Sequence, residues 1–202
     1  MKLDGTLIAA FGRQYEVRTT TGEILLCVPR GKKSVFACGD RVKVGVTGPG
    51  QGVIDKLEER SSLLYRSDAW RQKLIAANAT QVVLVVATEP SFSDEFLSRC
   101  LCAAESQHLK TLIVLNKADI SAGLENSRAL LAPFAALGYP ILELSALGDV
   151  DALRERLVGE TSLLVGQSGM GKSTLTNALI PEARAQTREI SEVLDTGKHT
   201  TT

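Results

Sequence analysis

The chain has 202 residues with 23 basic and 23 acidic side chains, so its formal charge is zero; 44% of it is apolar and 23% charged. That is an ordinary soluble composition for one large or two small domains, and it argues against an indiscriminate nucleic-acid binder; no apolar run approaches membrane-spanning length. The charge is uneven, however: residues 1–67 carry eleven Lys and Arg against seven Asp and Glu, and the remainder twelve against sixteen, which hints at a polyanionic partner for the front half.

Residues 1–67 read as short strands between turns. Gly5–Phe11, Tyr15–Thr19, Ile24–Val28, Arg41–Val46 and Gly52–Leu57 are apolar or β-branched runs, punctuated by Gly12-Arg13, Thr21-Gly22, Gly39-Asp40 and Gly48-Pro49-Gly50. Five strands at this spacing predict a small closed barrel of SH3 or OB type. Arg30-Gly31-Lys32-Lys33 falls on the loop between the third and fourth strands, where OB barrels often contact nucleic acid. With few aromatics to stack on bases (Phe11, Tyr15, Phe36), contact would go mainly to phosphates; a solvated turn explains the loop equally well. Glu58–Trp70 reads as a connector, and the boundary is placed near Ser67: a barrel domain over 1–67 and a second domain over 68–202.

Beyond it the pattern becomes strand–helix alternation. Gln81–Ala87 is a continuous apolar run, as in a strand covered on both faces. Ser93–Leu109 is an amphipathic helix with Ser91 or Ser93 as its cap, Thr111–Leu115 and Ile141–Leu144 are further strands, and Leu124–Leu137 is a helix expected to break at Pro133. A short helix at Val150–Leu157 precedes the strand Leu163–Val165. The economical architecture is a parallel sheet with helices on both faces. Cys27, Cys38, Cys100 and Cys102 have no metal-ligand spacing and are expected to be buried thiols in a reducing cytosol.

Three short motifs carry chemistry. Gly166-Gln167-Ser168-Gly169-Met170-Gly171-Lys172-Ser173-Thr174 lies between an apolar strand and a helical stretch, the context in which G-x-x-x-x-G-K-[ST] cradles a polyphosphate. Lys172 can reach the terminal phosphates and the Ser173 hydroxyl can join a Mg²⁺ shell. Asn116-Lys117-Ala118-Asp119 ends a strand at the sheet edge where ligands bind. The Asp119 carboxylate suits the ring N–H and exocyclic amino group of guanine, a pair adenine does not offer. The Lys117 stem can lie over the base while Asn116 ties this loop to the phosphate loop. Ser145-Ala146, ending the following strand, can present a backbone N–H to the guanine carbonyl. Here the base loops precede the phosphate loop, the reverse of the usual GTPase order, so the site would be built from a circularly permuted chain.

A barrel, then N-K-A-D, then S-A, then G-Q-S-G-M-G-K-S-T, then Gly197-Lys198-His199-Thr200-Thr201-Thr202 resembles the RsgA family of ribosome small-subunit-dependent GTPases over essentially the whole chain. The resemblance implies an OB domain that binds ribosomal RNA, a circularly permuted GTPase domain, and GTP hydrolysis stimulated by the small ribosomal subunit during its late maturation. It implies GTP or GDP with Mg²⁺, held at Ser173 and at one of Thr200 to Thr202, with Thr201 chosen; His199 would orient the attacking water. It also implies a cytoplasmic, monomeric protein. The family's D-x-P-G loop and zinc-binding domain have no counterpart before Thr202, so the chain is expected to be a fragment whose zinc site lies elsewhere. Two other readings remain open: a P-loop ATPase or kinase with a fortuitous N-K-A-D, and an RNA-binding module on a nucleotide-binding scaffold.

Overall fold

The computed structural model describes residues 2–31, 36–67 and 72–180. In chain order the elements are β1 (Lys2–Phe11), β2 (Gln14–Thr19), β3 (Ile24–Pro29), β4 (Arg41–Gly48), β5 (Gln51–Leu57), β6 (Leu63–Ser67), β7 (Gln72–Ala77), β8 (Gln81–Ala87), α1 (Asp94–Ser106), β9 (Lys110–Asn116), α2 (Leu124–Ala136), β10 (Ile141–Glu143), α3 (Asp151–Leu157), β11 (Ser162–Val165) and α4 (Lys172–Leu179). They sort into two compact units. One takes the chain as far as Gln81, with Cys102–Lys110 and Glu160–Leu163; the other takes Val82–Leu101, Thr111–Gly159 and the chain from Leu164.

In the first unit, β1 to β5 close into a barrel of order β1-β2-β3-β5-β4, sealed by β1 against β4. Only β3 and β5 run parallel within it, from Leu26 opposite Gln51 to Pro29 opposite Ile54. This is the OB arrangement, which decides between the two barrel types expected. Alternation builds its interior: β3 buries Leu25 and Cys27 while turning Ile24, Leu26 and Val28 outward. Burial also pushes the Cys27 thiol up to about 11. The expectation of buried thiols holds there and fails at Cys102, which is exposed on α1; all four cysteines are free.

The connector expected over Glu58–Trp70 instead contains β6, antiparallel to β7, with Leu63 opposite Ala77 and Arg66 opposite Lys73. A register shift between Leu64 and Tyr65 breaks the period of two there, so Tyr65 and Arg66 are exposed in succession and the strand signal is lost. Before it, the fully buried Asp40 carboxylate accepts Arg60 Nε at 2.7 Å, Arg60 Nη2 at 2.8 Å and the Ala37 N–H at 2.8 Å. A buried carboxylate needs such a complete set of donors, because one left bare would cost several kcal/mol, of order 3–5.

The second sheet has the order β10-β9-β8-β11, with β10 parallel to β9. All seven residues of β8 and the last five of β9 are buried. Both faces of these strands are therefore covered, which explains their unbroken apolar runs. Helix α1 is capped by Ser93, whose Oγ accepts the Phe96 N–H at 3.2 Å. The break expected at Pro133 does not occur, and α2 continues to Ala136. The proline forfeits one hydrogen bond in the last turn, and the buried Leu131 and Phe134 on either side hold that face in place. Among the described residues no helix is long and apolar enough to cross a membrane.

Candidate functional site

Strand β9 ends in Asn116, whose side chain is 1% exposed and joins three loops. Its Nδ2 donates to the Met170 carbonyl at 2.9 Å and its Oδ1 accepts the Ala146 N–H at 2.9 Å. The tie to the phosphate loop is the one the sequence suggested. The Ala146 bond has no signal in the sequence, and it engages an N–H that the sequence reading offers to the guanine carbonyl. Lys117 follows at φ +60, a left-handed conformation unusual for a residue with a side chain. Its carbonyl accepts Thr88 Oγ1 at 3.0 Å and the Ile120 N–H at 2.9 Å, while its Nζ donates to the Glu89 carbonyl at 2.7 Å. The Ala118 N–H donates to Leu144 at 3.1 Å, binding this loop to the one that carries Ser145. Asp119 is exposed at its end, and among the described residues its carboxylate has no hydrogen-bond or ion-pair partner.

The phosphate loop is shaped by what its glycines lack. A Cβ on Gly166 would lie 2.3 Å from the Val85 carbonyl oxygen, so only glycine lets β11 turn away beside β8. Gly171 sits at φ +84, and a Cβ there would lie 2.3 Å from Asn116 Nδ2. Met170 between them is buried, and the Gln167 Oε1 accepts the Ser93 N–H at 3.1 Å. Ser168 and Gly169 are exposed at the tip. Lys172 opens α4, with its Nζ donating to the Gln167 carbonyl at 2.7 Å, so the ammonium lies along its own loop. Ser173 and Thr174 are exposed in the first turn, where the free N–H groups and positive end of the helix dipole favour an anion.

These loops line one cavity of about 270 Å³, with Asn116, Lys117, Asp119, Ser145 and Ala146 on one side and Gly171 and Thr174 on the other. A carboxylate and the Gly171 end of the glycine loop thus border the same space. A larger groove of about 460 Å³ lies on the barrel, between Arg18 and Arg41 and the acids Asp4 and Glu58. Its charges are mixed and it has no glycine loop, so chemistry rather than size selects the site. Sequence reasoning overlooked Thr88 and Glu89, and gave Ser93 only its role as a helix cap, although the end of β8 shares the sheet edge on which β9 and β11 place their loops.

His199 and Thr200 to Thr202, with Thr201 among them, lie outside the described residues, as do Lys32 and Lys33 of the basic loop. Arg30 of that loop pairs with Asp55 at 2.7 Å, so part of its charge is already neutralised. Among the described residues no group of three His, Cys, Asp or Glu could hold a metal ion.

Residues 57–202 match the family model described as RsgA GTPase. The chain is 52% identical over 206 residues to the small ribosomal subunit biogenesis GTPase RsgA of Burkholderia pseudomallei strain K96243, covering 100% of this chain and 66% of that protein. It is 54% identical over 200 residues to the protein of the same name from Nitrosospira multiformis, covering 99% and 64%. Among solved structures, YjeQ from Thermotoga maritima superposes with a TM-score of 0.70 at 32% identity, and YloQ, described as a circularly permuted GTPase, with 0.64 at 26%; each match covers 90% of this chain and 66% of the other. The chain therefore spans slightly less than two thirds of the length of the curated relatives.

Proposed function

Because the chain belongs to the RsgA GTPase family, we propose that it binds guanine nucleotide between its base and phosphate loops and, within the whole protein, hydrolyses GTP in the service of small-subunit biogenesis. One observation carries this reading: Asp119, unpartnered among the described residues, and the Gly171 end of the phosphate loop line a single cavity. Asp119 selects guanine by accepting from its ring N–H and amino group. Lys117 lies over the base, Ala118 fixes the turn, and Ser145 and Ala146 close the far side. Gly166, Gln167, Ser168, Gly169, Met170 and Gly171 wrap the phosphates with main-chain N–H groups, and Thr174 borders them.

Lys172 serves catalysis by reaching the terminal phosphates, leaving its own loop carbonyl to do so. The residues fit Mg²⁺ as far as they go: a hydroxyl at Ser173, unencumbered at a helix start, is the hard oxygen donor such an ion takes beside phosphate oxygens and water. When bound, Mg²⁺ would supply positive charge against the phosphate oxygens. Thr201 would complete its protein ligands, and His199 would orient the attacking water. The domain division is proposed at 67/68, with the 1–67 barrel meeting ribosomal RNA on the small subunit. We place the protein in the cytoplasm as a monomer, and assign any zinc to a part of the whole protein other than these residues.

The test is competition. GTP should displace a fluorescent guanine nucleotide and ATP should not. Asp119→Asn should lower GTP affinity roughly tenfold to hundredfold, as removal of a charged hydrogen-bonding pair worth about 1.5–3 kcal/mol predicts, and should favour xanthine nucleotide. Equal displacement by ATP would mean an adenine-nucleotide enzyme. Turnover of the full-length protein that small subunits leave unchanged would turn the reading toward a binding scaffold.

A further inference from the structure

The base-reading turn is held from outside by a residue that belongs to none of the nucleotide motifs. Thr88, 7% exposed at the end of β8, donates twice: its N–H to the Asn116 carbonyl at 3.3 Å and its Oγ1 to the Lys117 carbonyl at 3.0 Å. Those two carbonyls flank the left-handed Lys117, whose conformation is disfavoured unless its surroundings impose it. The next residue, Glu89, accepts Lys117 Nζ through its own carbonyl at 2.7 Å, so strand end and turn are joined through backbone and side chain alike. Asp119 has no partner of its own among the described residues, so its direction depends on the turn that carries it.

We propose that Thr88 is a positioning residue for base selection: its hydroxyl locks Lys117 in the left-handed conformation and so aims Asp119 at the base. The proposal rests on the guanine reading of the site. A carboxylate that recognises two donors at once is sensitive to direction as well as distance, so loosening the turn should blur selectivity more than it weakens phosphate binding.

The test compares Thr88→Val, which keeps the shape and loses the hydroxyl, with Thr88→Ser, which keeps the hydroxyl. Binding of GDP, of IDP (which lacks the exocyclic amino group) and of inorganic triphosphate (which has no base) is measured on the purified chain. In Thr88→Val, GDP affinity should fall by roughly tenfold, the magnitude of one lost buried hydrogen bond. The GDP-to-IDP ratio should shrink, triphosphate binding should hold, and Thr88→Ser should restore the ratio. An unchanged ratio in Thr88→Val overturns the proposal, as does an equal loss for all three ligands, which marks a merely structural role. Should Thr88→Val precipitate, Thr88→Ala supplies the same comparison. If the unaltered chain itself fails to prefer GDP over ADP, the guanine reading fails first, and that outcome is distinct from a selective chain that tolerates loss of the hydroxyl.

Discussion

The two halves of the proposed nucleotide site are built by opposite means. The base loop is held by added groups: Asn116 spans to Met170 and Ala146, Thr88 grips the turn, and Ala118 is tied to Leu144. The phosphate loop is held by omission, since Gly166 and Gly171 are places where any side chain would strike a neighbour. The difference follows from the ligand parts each loop suits. A flat heterocycle is recognised by a carboxylate fixed in direction, which takes a scaffold of side-chain bonds. A polyphosphate is recognised by many converging N–H groups, which takes a bare main chain. The halves meet where Asn116 Nδ2 lies under Gly171.

Breaking that meeting point should give the largest effect. Gly171→Ala adds a left-handed alanine, costing about 1–2 kcal/mol, and drives a methyl into the Asn116 amide, leaving buried partners unpaired for another 1–3 kcal/mol or so. Urea unfolding should register most of that sum, and nucleotide binding by calorimetry should be lost. Asn116→Ala ranks second, at about 2–3 kcal/mol, because it strands the Met170 carbonyl and the Ala146 N–H. The double variant sharpens the comparison. With the amide gone the new methyl has nothing to strike, so the two losses should fall short of additive by about 1–2 kcal/mol. Strict additivity would show that the two loops are not coupled at this contact.

Much of this was legible in the chain because the signals were local. The barrel strands carry a period of two that burial of Leu25 and Cys27 against exposure of Leu26 reproduces, and the buried runs of β8 and β9 could hardly lie anywhere but mid-sheet. The phosphate and base loops announced themselves by glycine spacing and by a carboxylate at a strand end. What could not be read was set by tertiary partners. The β6–β7 hairpin is masked by its register shift, and the passage of α2 through Pro133 depends on burial of Leu131 and Phe134. Thr88 is silent because one threonine after an apolar strand has no pattern; only the folded turn at Lys117 gives its hydroxyl a purpose.

The smallest effect belongs to a phosphate-loop side chain that reaches out of the loop to add a bond elsewhere. Gln167 is a variable position of its motif, yet its Oε1 accepts the N–H of Ser93, the residue that caps α1 through its own hydroxyl. It thus supplies from outside the helix the back-bond that a capping box would supply from within. Gln167→Ala should cost about 0.5–1.5 kcal/mol in stability and weaken nucleotide binding only a few-fold, because Lys172 leans on the Gln167 backbone carbonyl, which remains. Gln167→Glu separates the two roles. A carboxylate still accepts the Ser93 N–H, so the melting temperature should hold, while the added charge beside the loop should weaken GTP more than GDP. If alanine and glutamate variants lose stability equally, the bond to Ser93 contributes nothing, and the phosphate loop is shaped by its glycines alone.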